Sequence, residues 1–290
     1  MFGTSVEEAL SGLTNIRERM AEQFPETPVR IAFTSNIIRR IWQERAKNPA
    51  YLRDHPDIPS DILHVQGPLA AIANLQDEGF GSIVVQPVHI APAEEFFDLA
   101  SYVEGLNSIK TVKAKLNPFA QLVLGRPALG TFGTEYPYAL DIVTAAGTLS
   151  ADVRLAEQEN TALVYMGHGN RYVPSSGVYF EFAAEMCRQY PDTLTVMTTL
   201  EGFPSVDDAI SLLKKNDIEQ VILKPFMVVA GNHALGDMIG SKPESLKNRF
   251  EDAGFTVRPV ISGLGEQDEF ARIFVQHTID AANDAGILLR

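Results

Sequence analysis

Two histidines and a glutamate stand where short apolar runs end. His168 lies between two glycines in Gly167-His168-Gly169-Asn170, just past Ala162–Met166. Glu201 follows Leu194–Thr199 in Leu200-Glu201-Gly202-Phe203-Pro204, and His233 follows Gln220–Val229 in Ala230-Gly231-Asn232-His233-Ala234. A glycine near each lets the backbone turn tightly and lets a ligand approach. Two imidazoles and one carboxylate form a donor set for a divalent first-row metal ion with coordination positions left open. The single cysteine, Cys187, can form neither an internal disulfide nor a cysteine-based metal site, so His and carboxylate must hold any metal. Of the other histidines, His89 follows the run Ile83–Val88 and is a candidate ligand contact. His55 and His64 are expected to be exposed in a polar segment, and His277 to lie on a helical face beside Ile273 and Phe274.

The elements that position these residues alternate along the chain. Val29–Thr34, Ile83–Val88, Gln121–Gly125, Ala162–Met166, Leu194–Thr199, Gln220–Val228 and Thr256–Ser262 read as strands rich in Val, Ile, Phe or Thr. Between them, 68–78, 94–103, 178–189, 205–216, 243–254 and 266–285 carry apolar residues at helical spacing. Strand and helix alternation predicts an α/β fold of doubly wound parallel sheet with helices on both faces. Ligands of such sheets bind beyond the carboxyl ends of the strands, where the three polar residues stand.

The chain also resembles itself. Val84-Val85-Gln86-Pro87-Val88 aligns with Ile222-Leu223-Lys224-Pro225-Phe226 at a shift of 138 residues. Phe2-Gly3-Thr4 falls on Met166-Gly167-His168, and Phe33-Thr34 on Met197-Thr198, at a shift of 164. The difference, 26, matches a polar, proline-punctuated insertion around 42–66. The expected organisation is two similar lobes, 1–138 and 139–290, each with about four parallel strands and with the active site in the cleft between them. A last helix over 266–285 is expected to reach back to the first lobe. At positions equivalent to His168, Glu201 and His233 the first lobe carries Thr4, Ile37 and Glu95, so the scaffold itself does not demand those ligand types.

The start is unusual. Ser5 and Glu8 form a capping-box pattern ahead of a helix running to about Phe24, so the chain opens at a strand-to-helix turn with only Met1-Phe2 before it. A first strand is expected upstream of Met1, and an unseen extension there could also carry a leader.

Composition narrows the function classes. The 290 residues are 45% hydrophobic with a net charge of −13, which argues against a duplex nucleic-acid binder and against disorder. No apolar run is long enough to span a bilayer as a helix, so a cytoplasmic protein without membrane partner is expected. No G-x-G-x-x-G, P-loop or G-x-S-x-G motif is present, so no organic cofactor and no serine nucleophile is expected. Self-association into a homo-oligomer is left open.

Taken together, Met166-Gly167-His168-Gly169, Leu200-Glu201-Gly202-Phe203-Pro204 and Gly231-Asn232-His233-Ala234, with Phe2-Gly3-Thr4-Ser5 and Thr34-Ser35-Asn36-Ile37-Ile38-Arg39-Arg40, resemble the anaerobic cobalt chelatases of cobalamin biosynthesis. The resemblance covers nearly the whole chain and implies the ferrochelatase-like fold. It implies a lyase that inserts Co²⁺, as substrate metal, into the tetrapyrrole sirohydrochlorin with release of two protons. His168, Glu201 and His233 match the family's metal ligands and catalytic groups, and Thr4, Ser5, His89 and Gly169 are candidate tetrapyrrole contacts. Arg39, Arg40, Arg126 and Arg171 are candidates for holding the eight carboxylates of sirohydrochlorin. Insertion of Fe²⁺ or Ni²⁺ into sirohydrochlorin or another porphyrin, and a carrier without chemistry, stand as alternatives.

Overall fold

The computed structural model describes Met1–Arg290. The chain opens with helix α1 (Leu10–Gln23), which buries the stripe Leu10, Leu13, Ile16 and Met20. Ser5 does not cap it. The Thr4 hydroxyl instead accepts the Val6 N–H at 3.1 Å, which turns the chain locally, and the helix starts behind Ala9 with no side-chain cap. The expected insertion holds the end of α2 (Asn36–Ala46), then α3 (Pro49–Asp54) and α4 (Ser60–Leu63). It is not merely a polar excursion, because Trp42, Ile62 and Val65 are fully buried in the main core. His64 is exposed, whereas His55 is only half-exposed and lies 2.7 Å from Glu7.

Helix α5 (Pro68–Asp77) leads to β1 (Ser82–Val85), and α6 (Glu94–Asn107) leads to β2 (Gln121–Leu124). These two parallel strands form the first sheet, paired from Ser82 with Gln121 to Val85 with Leu124. The four-stranded sheet expected here is not formed. Val29–Thr34 makes only a single bridge, Ala32 with Gln66, because its other side meets just two residues: Met1 donates from its terminal amino group, whose pKa burial lowers to about 5, to the Ala32 carbonyl at 3.0 Å, and the Thr34 N–H reaches the Met1 carbonyl at 2.8 Å. An apolar cavity of about 210 Å³ separates this segment from β1, lined by Met20, Ile31, Ile72, Ile83 and Leu99 among others.

Helices α7 (Tyr138–Gly147) and α8 (Ser150–Glu159) precede β3 (Ala162–Gly169). Then α9 (Gly177–Gln189), β4 (Thr195–Glu201), α10 (Val206–Lys215), β5 (Gln220–Pro225), α11 (Leu246–Asp252), β6 (Thr256–Pro259) and α12 (Asp268–Asp284) complete the chain. The second sheet is entirely parallel, in the order β4-β3-β5-β6. Strand β3 is buried at every residue but His168, as a central parallel strand covered on both faces must be. The capping box of Ser205 and Asp208 at the head of α10 does form.

A cluster of 35 buried residues runs through both halves of the chain, from Leu10 and Trp42 to Tyr165, Phe226 and Phe274, while Ile83 of β1 and Leu122 of β2 belong to a separate cluster of five with Ile72, Val103 and Phe119. A cluster of 15 covers the other face of the second sheet. Helix α12 lies against the first half: Asn15, on α1, donates to the Gly265 carbonyl just before α12, and Arg126, past β2, pairs with Asp280 at 2.8 Å. Arg126 also clasps Asp141 on α7 with two hydrogen bonds of 2.7 and 3.0 Å, and the fully buried His277 reaches Asp141 at 3.2 Å. Burial alone would favour a neutral Asp141, but hydrogen bonds from His277 and Arg126 outweigh it and hold the carboxyl below its usual range. No helix is long and apolar enough to cross a membrane.

Candidate metal and tetrapyrrole site

The strand order places a crevice at the carboxyl ends of β3 and β5. From β3 the chain moves to β4 on one side, then crosses to β5 on the other, and a doubly wound sheet opens a cleft at such a reversal. His168 ends β3 on this rim, and His233 follows β5 at the start of a π-helical turn, Ala234–Met238. Their rings lie 4.9 Å apart between centroids and nearly perpendicular, at 82°.

Each imidazole is held by one nitrogen. Nδ1 of His168 lies 3.0 Å from the Gly169 carbonyl, and Nδ1 of His233 lies 2.6 Å from the Asp237 carboxylate. A carbonyl and a carboxylate can only accept, so both contacts place the proton on Nδ1 and leave Nε2 with a lone pair for a metal ion. Asp237 was not singled out from the sequence. Its signal was the four-residue spacing from His233, hidden because no helical element was expected there. Asp237→Asn should weaken Co²⁺ binding by roughly 10- to 100-fold, the usual effect of removing the group that orients a histidine ligand, as measured by titration of the metal-free protein.

Gly169 turns the chain beside His168 with φ of +74°, and a Cβ there would lie 1.8 Å from the Glu201 carbonyl oxygen, so only glycine fits. Both histidines and Gly169 line a cavity of about 210 Å³ that Thr4, Ser5, His89 and Glu95, from the first half of the chain, line as well. The turn carrying Thr4 and Ser5 is pinned from behind: Trp42 donates to the Thr4 carbonyl and Arg45 to the Ser5 carbonyl, each at 2.8 Å. Across the cleft Asn232 donates to the Ser5 hydroxyl at 3.2 Å. Tyr179 also lines the cavity, and burial pushes the pKa of its hydroxyl up to about 12.

Glu201 stands apart. At the end of β4 it pairs in register with Gly169 of β3, and β4 flanks β3 on the side away from the crevice. Its carboxylate lies 3.7 Å from Arg171 and does not line the cavity, so the three expected ligands are not gathered into one cluster. The first half repeats this division: Thr4 and Glu95, the internal counterparts of His168 and His233, line the cleft, whereas Ile37, the counterpart of Glu201, is 72% exposed.

Two of the arginines proposed for substrate carboxylates are already engaged. Arg126 is spent on Asp141 and Asp280, and Arg39 donates to the carbonyls of Phe33 and Thr34 and to Asn36. Arg40 is exposed, and Arg171 is 67% exposed beside Glu201.

The family model for cobalt chelatase (CbiK) matches residues 1–283. The chain belongs to the cobalt chelatase family. This cobalt chelatase is 30% identical over 283 residues to the sirohydrochlorin cobaltochelatase CbiKC of Nitratidesulfovibrio vulgaris, covering 97% of this chain and 88% of that one. It is 28% identical to the sirohydrochlorin cobaltochelatase of Salmonella typhimurium, covering 98% and 95%. Among solved structures, SirB from Bacillus subtilis with Fe³⁺ matches with a TM-score of 0.57. The SirB sirohydrochlorin chelatase of Bacillus subtilis subspecies spizizenii in complex with cobalt matches with 0.54. Each is 13% identical and covers 98% of this chain and 94% of the other, a likeness of fold. The cobalt chelatase is therefore a metal chelatase of α/β fold with two parallel sheets.

Proposed function

We propose that His168 and His233 carry the metal step in the insertion of Co²⁺ into sirohydrochlorin, with release of two protons. The observation that supports this most is the pair of imidazoles 4.9 Å apart, each tied through Nδ1 and open at Nε2, on the rim of an apolar cleft. Neutral imidazole suits Co²⁺. A site with few protein donors holds the ion with open positions and gives it up to the four nitrogens of the macrocycle. A histidine released from the metal then carries a lone pair that can take up a proton given off by the macrocycle.

Glu201 is the proposed third donor. Its carboxylate is about one-third exposed and its charged neighbour, Arg171, lies exposed at the surface 3.7 Å away, so a metal ion at the β3 rim competes with a weak contact only. Thr4, Ser5, His89 and Gly169, which line the same cleft, are the proposed tetrapyrrole contacts.

The test is metallation itself. Purified protein given sirohydrochlorin and equal concentrations of Co²⁺, Fe²⁺ and Ni²⁺ should yield chiefly the cobalt product, followed by absorbance. Tight tetrapyrrole binding with no metal inserted over hours would show a carrier instead, and a dominant iron or nickel product would reassign the metal.

A further inference from the structure

The two halves of the chain meet in a hydrogen bond at the cleft. Asn232, immediately before His233, donates from Nδ2 to the Ser5 hydroxyl at 3.2 Å. Both side chains line the cavity, Asn232 exposed and Ser5 half-buried, so a ligand in the cleft can reach both. The backbone around them is held: the Ser5 carbonyl accepts from Arg45 at 2.8 Å, and Gly231 packs so close to Thr4 that a Cβ there would lie 3.0 Å from the Thr4 hydroxyl oxygen. The contact between Asn232 and Ser5 uses one amide hydrogen and one hydroxyl lone pair. The Ser5 O–H and the second N–H of Asn232 have no acceptor within the protein. Two such donors on atoms 3.2 Å apart can reach the two oxygens of one carboxylate, one hydrogen to each. No lysine or arginine lines the cleft to compete for that role.

We propose that Ser5 and Asn232 form a clamp for one peripheral carboxylate of sirohydrochlorin, with one donor from each half of the chain. This rests on the reading that the cleft binds sirohydrochlorin. The macrocycle carries eight carboxylates, and the cleft offers them no cation. Neutral donors can still hold one, because a hydrogen bond to an ionised oxygen is roughly twice as strong as one between neutral groups. Asn232 adjoins His233, so a carboxylate seated there orients the macrocycle relative to that imidazole. The clamp grips the edge of the ring and is indifferent to whether metal occupies its centre. Ser5 and Asn232 are thus specificity residues that select an acid side chain on the tetrapyrrole.

The experiment compares dissociation constants of sirohydrochlorin and of its methyl ester, in which every carboxylate is neutral, for the wild type, Ser5→Ala, Asn232→Ala and Asn232→Asp. Ser5→Ala and Asn232→Ala should each bind the acid about 10-fold more weakly and the ester less than about 2-fold more weakly. Affinity for Co²⁺ alone should stay unchanged in Ser5→Ala. Asn232→Asp sets a carboxylate against that of the substrate, so its loss should exceed that of Asn232→Ala and shrink as salt is added. Ser5→Ala, far in sequence from both metal-binding histidines, remains the deciding variant if Asn232→Ala does not fold. Equal loss for acid and ester, no loss for either, or a loss of Co²⁺ affinity in Ser5→Ala would overturn the assignment. Failure of the wild type to bind sirohydrochlorin would instead remove the proposed function, a result separate from any behaviour of the variants.

Discussion

His168→Ala and His233→Ala should each slow Co²⁺ insertion into sirohydrochlorin by roughly 100-fold or more, with the folded state unchanged. Removing a group that merely orients a metal-bound histidine typically costs 10- to 100-fold, and losing one of two imidazoles should cost at least as much. The fold should tolerate both changes. His168 is the one residue of β3 that is not fully buried, and the His233 side chain is 47% exposed, so neither supports the core. The measurement is kcat/KM for metallation beside a thermal melt. A fall in rate with an unaltered Tm locates the effect in the transition state and not in folding. Glu201→Gln should have the smaller effect, since its carboxylate lies outside the cavity before metal arrives.

The second large effect is on stability. Asp152, on α8, accepts from the Lys224 ammonium at 2.6 Å, from the Tyr165 hydroxyl at 2.6 Å and from Gln267 at 3.1 Å. Lys224 lies on β5, Tyr165 on β3, and Gln267 just ahead of α12, so one carboxylate joins the two central strands to the last helix. All but Gln267 are buried: Asp152 is 7% exposed, Lys224 3% and Tyr165 not at all. Burial and the neighbouring carboxylate also raise the Tyr165 pKa well above its usual value, so the phenol stays a donor. Asp152→Ala strands an ammonium and a phenol in the core, and breaking a buried pair in this way costs about 3–5 kcal/mol. A Tm lower by roughly 10 °C is expected, at about 2–4 °C per kcal/mol for a domain of this size class. Asp152→Asn, which keeps an acceptor, should lose less. A melt of Asp152→Ala within about 2 °C of the wild type would show that the cluster contributes little.

The second half of the chain was the more legible in its sequence. Strands β3, β4 and β5 are buried along most of their length, so each is a largely apolar run, and Gly167-His168-Gly169 and Gly231-Asn232-His233 mark where two of them end. Val29–Thr34 has the same composition but forms only a bridge, because a strand is completed by its neighbours and Met1-Phe2 covers only two residues. Local signals misled where tertiary contacts won. The Ser5–Glu8 spacing suits a cap, yet Thr4 takes up the nearby N–H and the Ser5 hydroxyl meets Asn232 across the cleft. Arg126 reads as a free cation until Asp141 and Asp280 arrive from 15 and 154 residues away.

The site was legible to a similar degree. Spacing along the chain brought out His168, Glu201 and His233 together, but strand order separates them. The crevice opens between β3 and β5, and β4 carries Glu201 to the far side of β3. Asp237 escaped notice because a π-helical turn leaves no apolar periodicity to signal it. His89 was visible only as a residue past a strand; that both its nitrogens are buried and unpartnered depends on packing.

The most direct test of the central claim is the X-ray absorption spectrum at the cobalt edge of the protein loaded with one Co²⁺ and no tetrapyrrole. Two imidazole nitrogens bound to the ion in the wild type, falling to one in either His168→Ala or His233→Ala, are the predicted result. A cobalt ion coordinated by oxygen alone, or an imidazole count that neither variant changes, would contradict it.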